Sequence, residues 1–238
     1  MVSISAELTV NYEAFSGKLP ITLEKNVASL RGDPKLVESY ARVAVLNAIK
    51  AELVDNHFPS GAAQFFFEAH NDALLSHVNA SFGSWRPALQ SMRSFMENTL
   101  AAVYYRDHPI EFEKWQLGDF RISPRDLREY AIEHPKVVNV AKEIELKALL
   151  DDEYSTLSKA VHGSNSLFRM TSSDGKANIA SASKPDLGKW SARERATVDI
   201  CGVVLVSVLS DHLDGAKQPG LRKLLGIALR KNSRNALK

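Results

Sequence analysis

The chain is poor in the features that mark several large classes of protein. Its 238 residues include a single cysteine, Cys201, so a disulfide framework is excluded and a cytosolic location is expected. The longest apolar run, 200–209, is too short to cross a bilayer, which takes about 20 residues. The N-terminus has no basic region followed by an apolar core, so we expect no signal peptide. From these absences we predict that the protein is neither secreted nor inserted into a membrane.

Strong charge and ligand-binding motifs are scarce as well. The net charge of +2 is too small to imply nucleic-acid binding by itself. No group of cysteines or histidines has zinc spacing, and His70 and His77 would lie about two helical turns apart. The chain lacks a phosphate-binding glycine loop, a dinucleotide fingerprint and a nucleophile elbow. The sequence therefore predicts no metal and no cofactor.

What the chain does have is apolar residues at helical spacing. With 45% hydrophobic and 24% charged residues, it has an ordinary globular composition and enough length for a core. Proline after aspartate at 33–34 is a typical helix start. The pattern predicts a mainly α fold, a single domain built as an antiparallel helical bundle. The predicted helices cover about 34–56, 62–78, 84–105, 109–115, 123–133, 136–150, 152–162 and a core helix within 185–215.

A small β embellishment is predicted beside these helices. Apolar and polar residues alternate over 2–11, which favours a strand within an N-terminal segment, 1–33, of strand and loop. An Asp-Gly step lies between two short segments in 166–182, which is typical of a hairpin. We expect the strand to pair with this hairpin. The last segment, 219–238, is predicted as a basic helix or tail that is solvated or contacts RNA, an acidic partner or a membrane surface.

The segment 152–164 carries the most informative pattern. Four of its residues share one helix face: Tyr154, Leu157, Ser158 and Val161. His162 follows this face, and Gly163 is a suitable residue to end the helix. In the last turn of a helix, the macrodipole favours a protonated imidazole. One interpretation is a core helix whose histidine caps the last carbonyls; the other is a polar site completed by a second helix.

The helix predicted over 84–105 has a polar stripe beside its apolar stripe. The stripe consists of Arg86, Gln90, Arg93, Glu97 and Tyr104. Arg93 and Glu97 are an i, i+4 pair, which contributes only about 0.2–0.5 kcal/mol on an exposed face. Next to the apolar stripe the pair is expected to be partly buried, with Glu97 orienting Arg93; an ordinary surface pair is the alternative.

Together these residues resemble the HEPN-like all-helical group of bacterial toxin–antitoxin and phage-defence proteins. The similarity covers about 35–165 and lies in Tyr-x-x-Leu-Ser-x-x-Val-His-Gly at 154–163 and Tyr-Tyr-Arg-Asp-His-Pro at 104–109. It implies a helical core over 34–165, a homodimer, and metal-independent cleavage of RNA by an arginine and a histidine. It also implies a partner protein from the same operon. The usual signature, arginine and histidine with four to six residues between them, occurs only at 128–134, which is about the chance expectation.

The family's signature lies on one helix, and this chain departs from it, so we expect a catalytic site to be formed by two helices. His162 would move the proton of a ribose 2′-hydroxyl or of the leaving oxygen, and Arg93 would stabilise charge on the phosphate. Glu97 would fix Arg93, while Tyr154 and Ser158 would position His162 or the phosphate. The residues expected to bind RNA are Arg86, Tyr105, Arg106 and His108. Their alternative role is the packing of a helix end by two adjacent tyrosines.

Two further functions are compatible with the same residues. In a non-catalytic binding or scaffold subunit, the polar groups would form a buried network that holds helices in register. In a ligand-sensing domain they would line a small-molecule pocket. Solvent access distinguishes these functions, because catalysis requires Arg93 and His162 to line an open cleft.

Overall fold

A computed structural model describes residues 4–162, 170, 171, 175, 177–213 and 219–237. The elements, in chain order, are α1 (Ile4–Leu30), α2 (Pro34–Ile49), a π-helical segment (Lys50–Val54), α3 (Asp55–His57), α4 (Ser60–Ser81), α5 (Trp85–Asp107), α6 (Pro109–Leu117), α7 (Pro124–Glu133), α8 (Val138–Glu143), α9 (Leu146–Val161), α10 (Lys184–Val208), α11 (Ser210–Leu213), α12 (Pro219–Ala228) and α13 (Lys231–Ala236). The prediction of a mainly α fold is confirmed.

Several helix starts follow from local side-chain chemistry. Asp33 caps α2 by accepting a hydrogen bond from the Lys35 N–H, and proline occupies the first turn. Ser123 and Ser183 cap α7 and α10 in the same way, again with proline in the first turn. Ser84 precedes α5, but its side chain makes no capping hydrogen bond. Serine or aspartate followed by proline thus marks three of the helix starts predicted from sequence.

The core is organised around α5 and α10. Helices α4 and α5 form an antiparallel hairpin, and α5 also packs against α7, α9 and α10. Every residue of the segment 196–209 is buried, so the second half of α10 is enclosed on all sides, as its continuous apolar run predicts. Helix α12 packs back onto α2 and α10, which makes the C-terminal segment part of the core.

The predicted N-terminal strand is wrong over the residues that the structure describes. Residues 4–11 form the start of α1, and the loop expected at 17–20 lies in the middle of the same helix. The residues over 2–11 alternate between apolar and polar, as in a strand. Ile4, Leu8 and Tyr12 are also four residues apart, as on one face of a helix, and the segment forms the helix. The pairing of this segment with a hairpin is therefore wrong as well.

The hairpin predicted near 166–182 lies partly outside the described residues, which here are 170, 171, 175 and 177–182. In the part that is described, Thr171 and Ala177 form an isolated antiparallel bridge, and the Asn178 N–H donates to the Met170 carbonyl at 2.9 Å. Gly175, between them, has a φ of 79°. Further along the chain, Ser181 lies against the turn between α4 and α5, where its N–H donates to the Gly83 carbonyl at 3.0 Å.

The break between α8 and α9 was not predicted. The helix expected over 136–150 is interrupted at Glu145, whose φ of 54° lies in the left-handed region. α9 begins at the next residue, so the helix that carries Tyr154 starts earlier than its predicted boundary at residue 152. Gly163, the predicted stop of this helix, lies outside the described residues.

Candidate functional site

The candidate site follows the contact between α5 and α9. Arg86, near the start of α5, contacts the end of α9, while Arg93, two turns later, contacts Tyr154 in the middle of α9. The two helices are therefore antiparallel. The polar stripe of α5 faces the polar side of α9, as the two-helix hypothesis requires.

Arg93, Glu97 and Tyr154 form a closed triangle of hydrogen bonds. Arg93 Nε donates to Glu97 Oε1 at 3.0 Å, and Arg93 Nη2 donates to the Tyr154 hydroxyl at 2.9 Å. The same hydroxyl donates to Glu97 Oε1 at 2.8 Å. The Arg93 and Glu97 side chains are 23% and 31% exposed, so the pair is partly buried and not an ordinary surface pair. Arg93 and Glu97 of α5 are thus joined to Tyr154 of α9, and all three were predicted as site residues.

A second arginine, Arg128 of α7, also contacts Tyr154. Its guanidinium carbon lies 4.0 Å from the centre of the Tyr154 ring, and that of Arg93 lies 5.2 Å from it. Arg128 is held in place by Asp151, at 3.0 Å from its Nε, and by the Pro124 carbonyl at 3.0 Å from Nη1. The sequence marked Arg128 only as the start of the chance-level signature at 128–134, because its contacts with Tyr154 and Asp151 are to another helix.

The charge states of the triangle follow from these contacts. Burial and the hydrogen bond to Glu97 raise the pKa of Tyr154, so its hydroxyl stays protonated. Burial opposes the charge of Arg93, but its bonds to Tyr154 and Glu97 outweigh this effect and raise the pKa of the guanidinium. The triangle is therefore a stable arrangement of one cation, one anion and a neutral hydroxyl at physiological pH.

His162 lies apart from the triangle. It directly follows α9, its N–H donates to the Ser158 carbonyl at 3.0 Å, and it is exposed. Eight residues separate it from Tyr154, which corresponds to about 12 Å along the helix. The Ser158 hydroxyl, between the two, is buried and has no hydrogen-bond partner in the described part of the chain. The structure thus brings together three of the five predicted catalytic residues, and Arg93 and His162 are not among each other's contacts in the described chain.

Of the predicted RNA-binding residues, Arg86 has a clear structural role. Its Nε and Nη2 donate to the Val161 carbonyl at 3.2 and 2.8 Å, and Nε also lies 3.2 Å from the Ala160 carbonyl. These are carbonyls of the last turn of α9, where a cation also complements the helix dipole. Arg86 therefore ties the start of α5 to the end of α9.

The other three predicted RNA-binding residues pack at the end of α5. Tyr105 is only 3% exposed and stacks on Phe65 with ring centres 4.9 Å apart, so its ring is not open to a base. Arg106 lies over the Phe58 ring at 5.3 Å. His108 stacks on Tyr104 at 4.1 Å, and its Nδ1 is 2.8 Å from the Tyr104 carbonyl. This arrangement supports the alternative in which two tyrosines pack the helix end.

A buried ion pair on the other side of the core was not predicted. Arg42 of α2 and Glu194 of α10 are each about 3% exposed, with Nε 3.0 and 2.8 Å from the two carboxylate oxygens and Nη2 2.6 Å from Oε2. Burial raises the pKa of Glu194, and Arg42 opposes that rise. Arginine within the apolar periodicity of α2 was the available signal, but its partner lies 152 residues later.

The described residues contain no group of three or more His, Cys, Asp or Glu side chains placed to hold a metal ion. Within the same part of the chain, no helix has both the length and the apolar character that crossing a bilayer requires. Comparisons with protein-family models, with curated proteins and with solved structures gave no significant match to this chain.

Proposed function

We propose that this chain is a non-catalytic binding or scaffold subunit, in which Arg93, Glu97 and Tyr154 hold α5 and α9 in register. The observation that carries the proposal is the mutual satisfaction of these three side chains: the Tyr154 hydroxyl accepts from Arg93 and donates to Glu97. Partly buried polar groups that satisfy each other are typical of structural networks. The resemblance to the HEPN-like group suggests RNA, or a protein of the same defence or toxin–antitoxin operon, as the partner.

The position of His162 favours this function over catalysis. Phosphodiester cleavage needs an acid or base within hydrogen-bond reach of the reacting oxygen while a cation contacts the same phosphate. Tyr154, which hydrogen-bonds to Arg93, is about 12 Å along α9 from His162. The Arg93 guanidinium also donates to Glu97, so part of its fork is already used inside the protein.

Metal-independent RNA cleavage is the second candidate. It is favoured by the exposure of His162 in the turn where Arg86 bonds the Val161 carbonyl, because an imidazole and a guanidinium then occupy the same end of α9. In that case His162 would act as acid or base, and Arg86 would have to exchange its carbonyl bonds for the phosphate in order to act in place of Arg93.

Incubation of the purified protein with total RNA distinguishes the two candidates. We expect the RNA to remain intact, with wild-type protein giving the same fragment pattern as His162→Ala. Cleavage by the wild type that is lost in a folded His162→Ala variant would establish the nuclease and contradict the proposed scaffold function.

The structural role of the triangle is tested by Tyr154→Phe. Loss of the hydroxyl leaves Arg93 and Glu97 without their shared partner, and we expect the free energy of unfolding to fall by about 1–2 kcal/mol in urea titrations. Tyr40→Phe is the matched control, because Tyr40 is 61% exposed and should change stability by less than about 0.5 kcal/mol. Equal stability of the two variants would mean that the triangle does not hold the helices.

A further inference from the structure

Helix α1 is an arm whose apolar residues remain largely exposed. It has 27 residues, about 40 Å, and within it only Asn26 and Leu30 are buried. Both lie near its C-terminal end, where Asn26 Nδ2 donates to the Phe82 carbonyl at 2.9 Å. A helix of this length with so little tertiary packing is not stabilised by propensity alone, since it also contains Gly17 and Pro20.

Most of the exposed apolar residues of the arm form a continuous stripe that ends at the half-buried Leu23, while Val10 and Ile21 lie on the other side of the helix. The stripe runs through Ile4, Leu8, Tyr12, Phe15, Leu19 and Leu23 at intervals of three or four residues. Continued at the same intervals, it meets Asn26 and Leu30, the two residues that are buried at the base. The face that enters the core at the base is therefore the same face that is exposed along the rest of the helix, from Ile4 at 79% exposure to Leu19 at 38%.

One edge of this stripe carries charges in a self-complementary order, whereas Glu13 and Glu24 lie further round the helix, away from the stripe. Glu7, Lys18 and Lys25 lie eleven and seven residues apart, so they share one edge of the stripe. The acidic residue is near the tip and the two basic residues are towards the base. Only antiparallel arms bring the same edge of both helices together, and in that arrangement Glu7 of one arm lies at the basic end of the other.

We infer that two copies of this chain pair through antiparallel α1 arms, each covering the apolar stripe of the other. In the proposed register, the residue numbers of two facing residues, one from each arm, add up to about 31. Leu8 then lies opposite Leu23, and Tyr12 lies opposite Leu19. Glu7 then lies near Lys25 of the other copy. The two arms would bury on the order of 1,200 Å², the lower end of the range for stable interfaces.

The base of the arm offers a place for the tip of the other arm. A groove of about 410 Å³ beside the arm is lined by Leu23, Val27 and Phe82, among others. In the proposed register, Ile4 of the other copy reaches Val27 at the edge of this groove. The antiparallel pair therefore covers both the tip and the base of each stripe. Arms that overlapped over fewer residues would leave one of these ends exposed.

This inference deepens the proposed scaffold function and rests on it, because it names a second copy of the chain as the partner of one surface. Sedimentation velocity on the full chain tests it. We expect a dimer for the wild type and an at least about tenfold weaker dimer for Leu8→Asp, since the substitution places a charge in the apolar seam. A wild type that remains monomeric at all accessible concentrations would overturn the inference.

Val10→Asp is the matched control for Leu8→Asp. The two residues are each 63% exposed on the same helix, but Val10 lies away from the stripe. We expect Val10→Asp to dimerise like the wild type and both variants to retain the wild-type circular dichroism spectrum. Equal weakening by both substitutions would contradict pairing through the stripe. Binding of a monomeric wild type to anionic vesicles would assign the stripe to a lipid surface instead.

Oxidative cross-linking tests the direction of the arms. We expect a disulfide when Leu8→Cys protein is mixed with Leu23→Cys protein, because these positions face each other only in antiparallel arms. The native Cys201 is fully buried and does not compete. Cross-linking of Leu8→Cys with itself would show parallel arms and overturn the proposed register. None of these substitutions touches the α5–α9 contact, so failure of dimerisation and detection of RNA cleavage are separate results.

Discussion

Glu153 is a buried carboxyl group whose protonation is coupled to the stability of the core. It is 4% exposed on α9, and its Oε2 accepts from Arg193 Nη1 at 2.8 Å, with the Thr197 hydroxyl 3.4 Å from Oε1. Burial raises the pKa of Glu153 to about 7, although the positive charge of Arg193 acts in the opposite direction. Loss of this proton leaves a carboxylate in an apolar environment that Arg193 compensates only in part.

The pH dependence of stability should reflect this residue. Between the ordinary pKa of 4.5 and about 7, folded Glu153 keeps a proton that the unfolded chain has released, so the free energy of unfolding falls as pH rises through this window. The shift corresponds to at most about 3 kcal/mol. We expect Glu153→Gln, measured by urea unfolding at several pH values, to flatten this fall. Glu13→Gln, on the exposed part of α1, should leave the slope as in the wild type; a wild-type slope in Glu153→Gln would contradict the assignment.

At the scale of secondary structure, the break between α8 and α9 depends on one unfavourable backbone conformation. Glu145 has a φ of 54°, a positive value at a non-glycine residue of the described part of the chain. For an L-residue the left-handed region costs about 1–2 kcal/mol, a cost that glycine does not have. We expect Glu145→Gly to stabilise the protein by about 1 kcal/mol, seen as a melting temperature about 2–4 °C higher.

Replacement of a glycine that has a positive φ by alanine is a control for this backbone effect. Gly118 ends α6 with a φ of 83°, and no described atom outside its immediate neighbours lies within 4 Å of the point that a Cβ would occupy. Gly118→Ala therefore tests backbone conformation without a steric clash, and we expect it to lower the melting temperature by a similar amount. If Glu145→Gly were destabilising, the Glu145 side chain would have to contribute more than its backbone costs.

Helix boundaries were predictable where the sequence carries a capping residue or a turn. Asp33 and Ser123 start their helices as expected, and the break before Ser60 falls in the gap predicted between 56 and 62. The Ser183 cap of α10 was not predicted. Glu145 gave no such signal, because neither glycine nor proline marks the break. The arm α1 was assigned as strand and loop because its first residues fit two periods at once and its Gly17 and Pro20 are typical of loops.

At the scale of the whole molecule, the C-terminal helices are held to the core through Asp199. This residue of α10 is 3% exposed and accepts from the Arg230 N–H at 2.7 Å and from the Ser233 hydroxyl at 2.9 Å. Leu229, next in the chain to Arg230, packs so closely on α10 that a Cβ at Gly202 would lie 2.7 Å from its Cδ2. Polar and apolar contacts thus fix the same point of the tail.

We expect Asp199→Ala to release this tail. The Arg230 N–H and the Ser233 hydroxyl lose their acceptor, which costs about 1–3 kcal/mol, and hydrogen exchange over 219–237 should become faster than in the wild type. Asp211→Ala is the control, because Asp211 is an exposed partner of Lys136 and an ion pair in solvent contributes little to stability. Unchanged exchange in Asp199→Ala would mean that apolar packing alone holds the tail.

Contacts between distant segments account for most of what sequence reasoning could not supply. The i, i+4 relation of Arg93 and Glu97 and the proximity of Tyr154 were predicted, because each follows from a helix face. The Arg42–Glu194 pair and the position of Arg128 over Tyr154 depend on how helices pack, and periodicity carries no information on that. His162 was predicted near Arg93 because it follows the helix face that carries Tyr154. A shared face gives the direction of side chains around the helix, but it does not give their distance along the helix.

The enclosure of α10 also has a consequence for biosynthesis. The ribosome makes α2 to α9 before the segment 196–209, whose residues fill the space between α2, α5 and α9. At about 5–20 residues per second, the nascent chain waits several seconds with the apolar faces of those helices unfilled. Chaperone engagement during translation should therefore peak in this interval and decline once α10 has emerged.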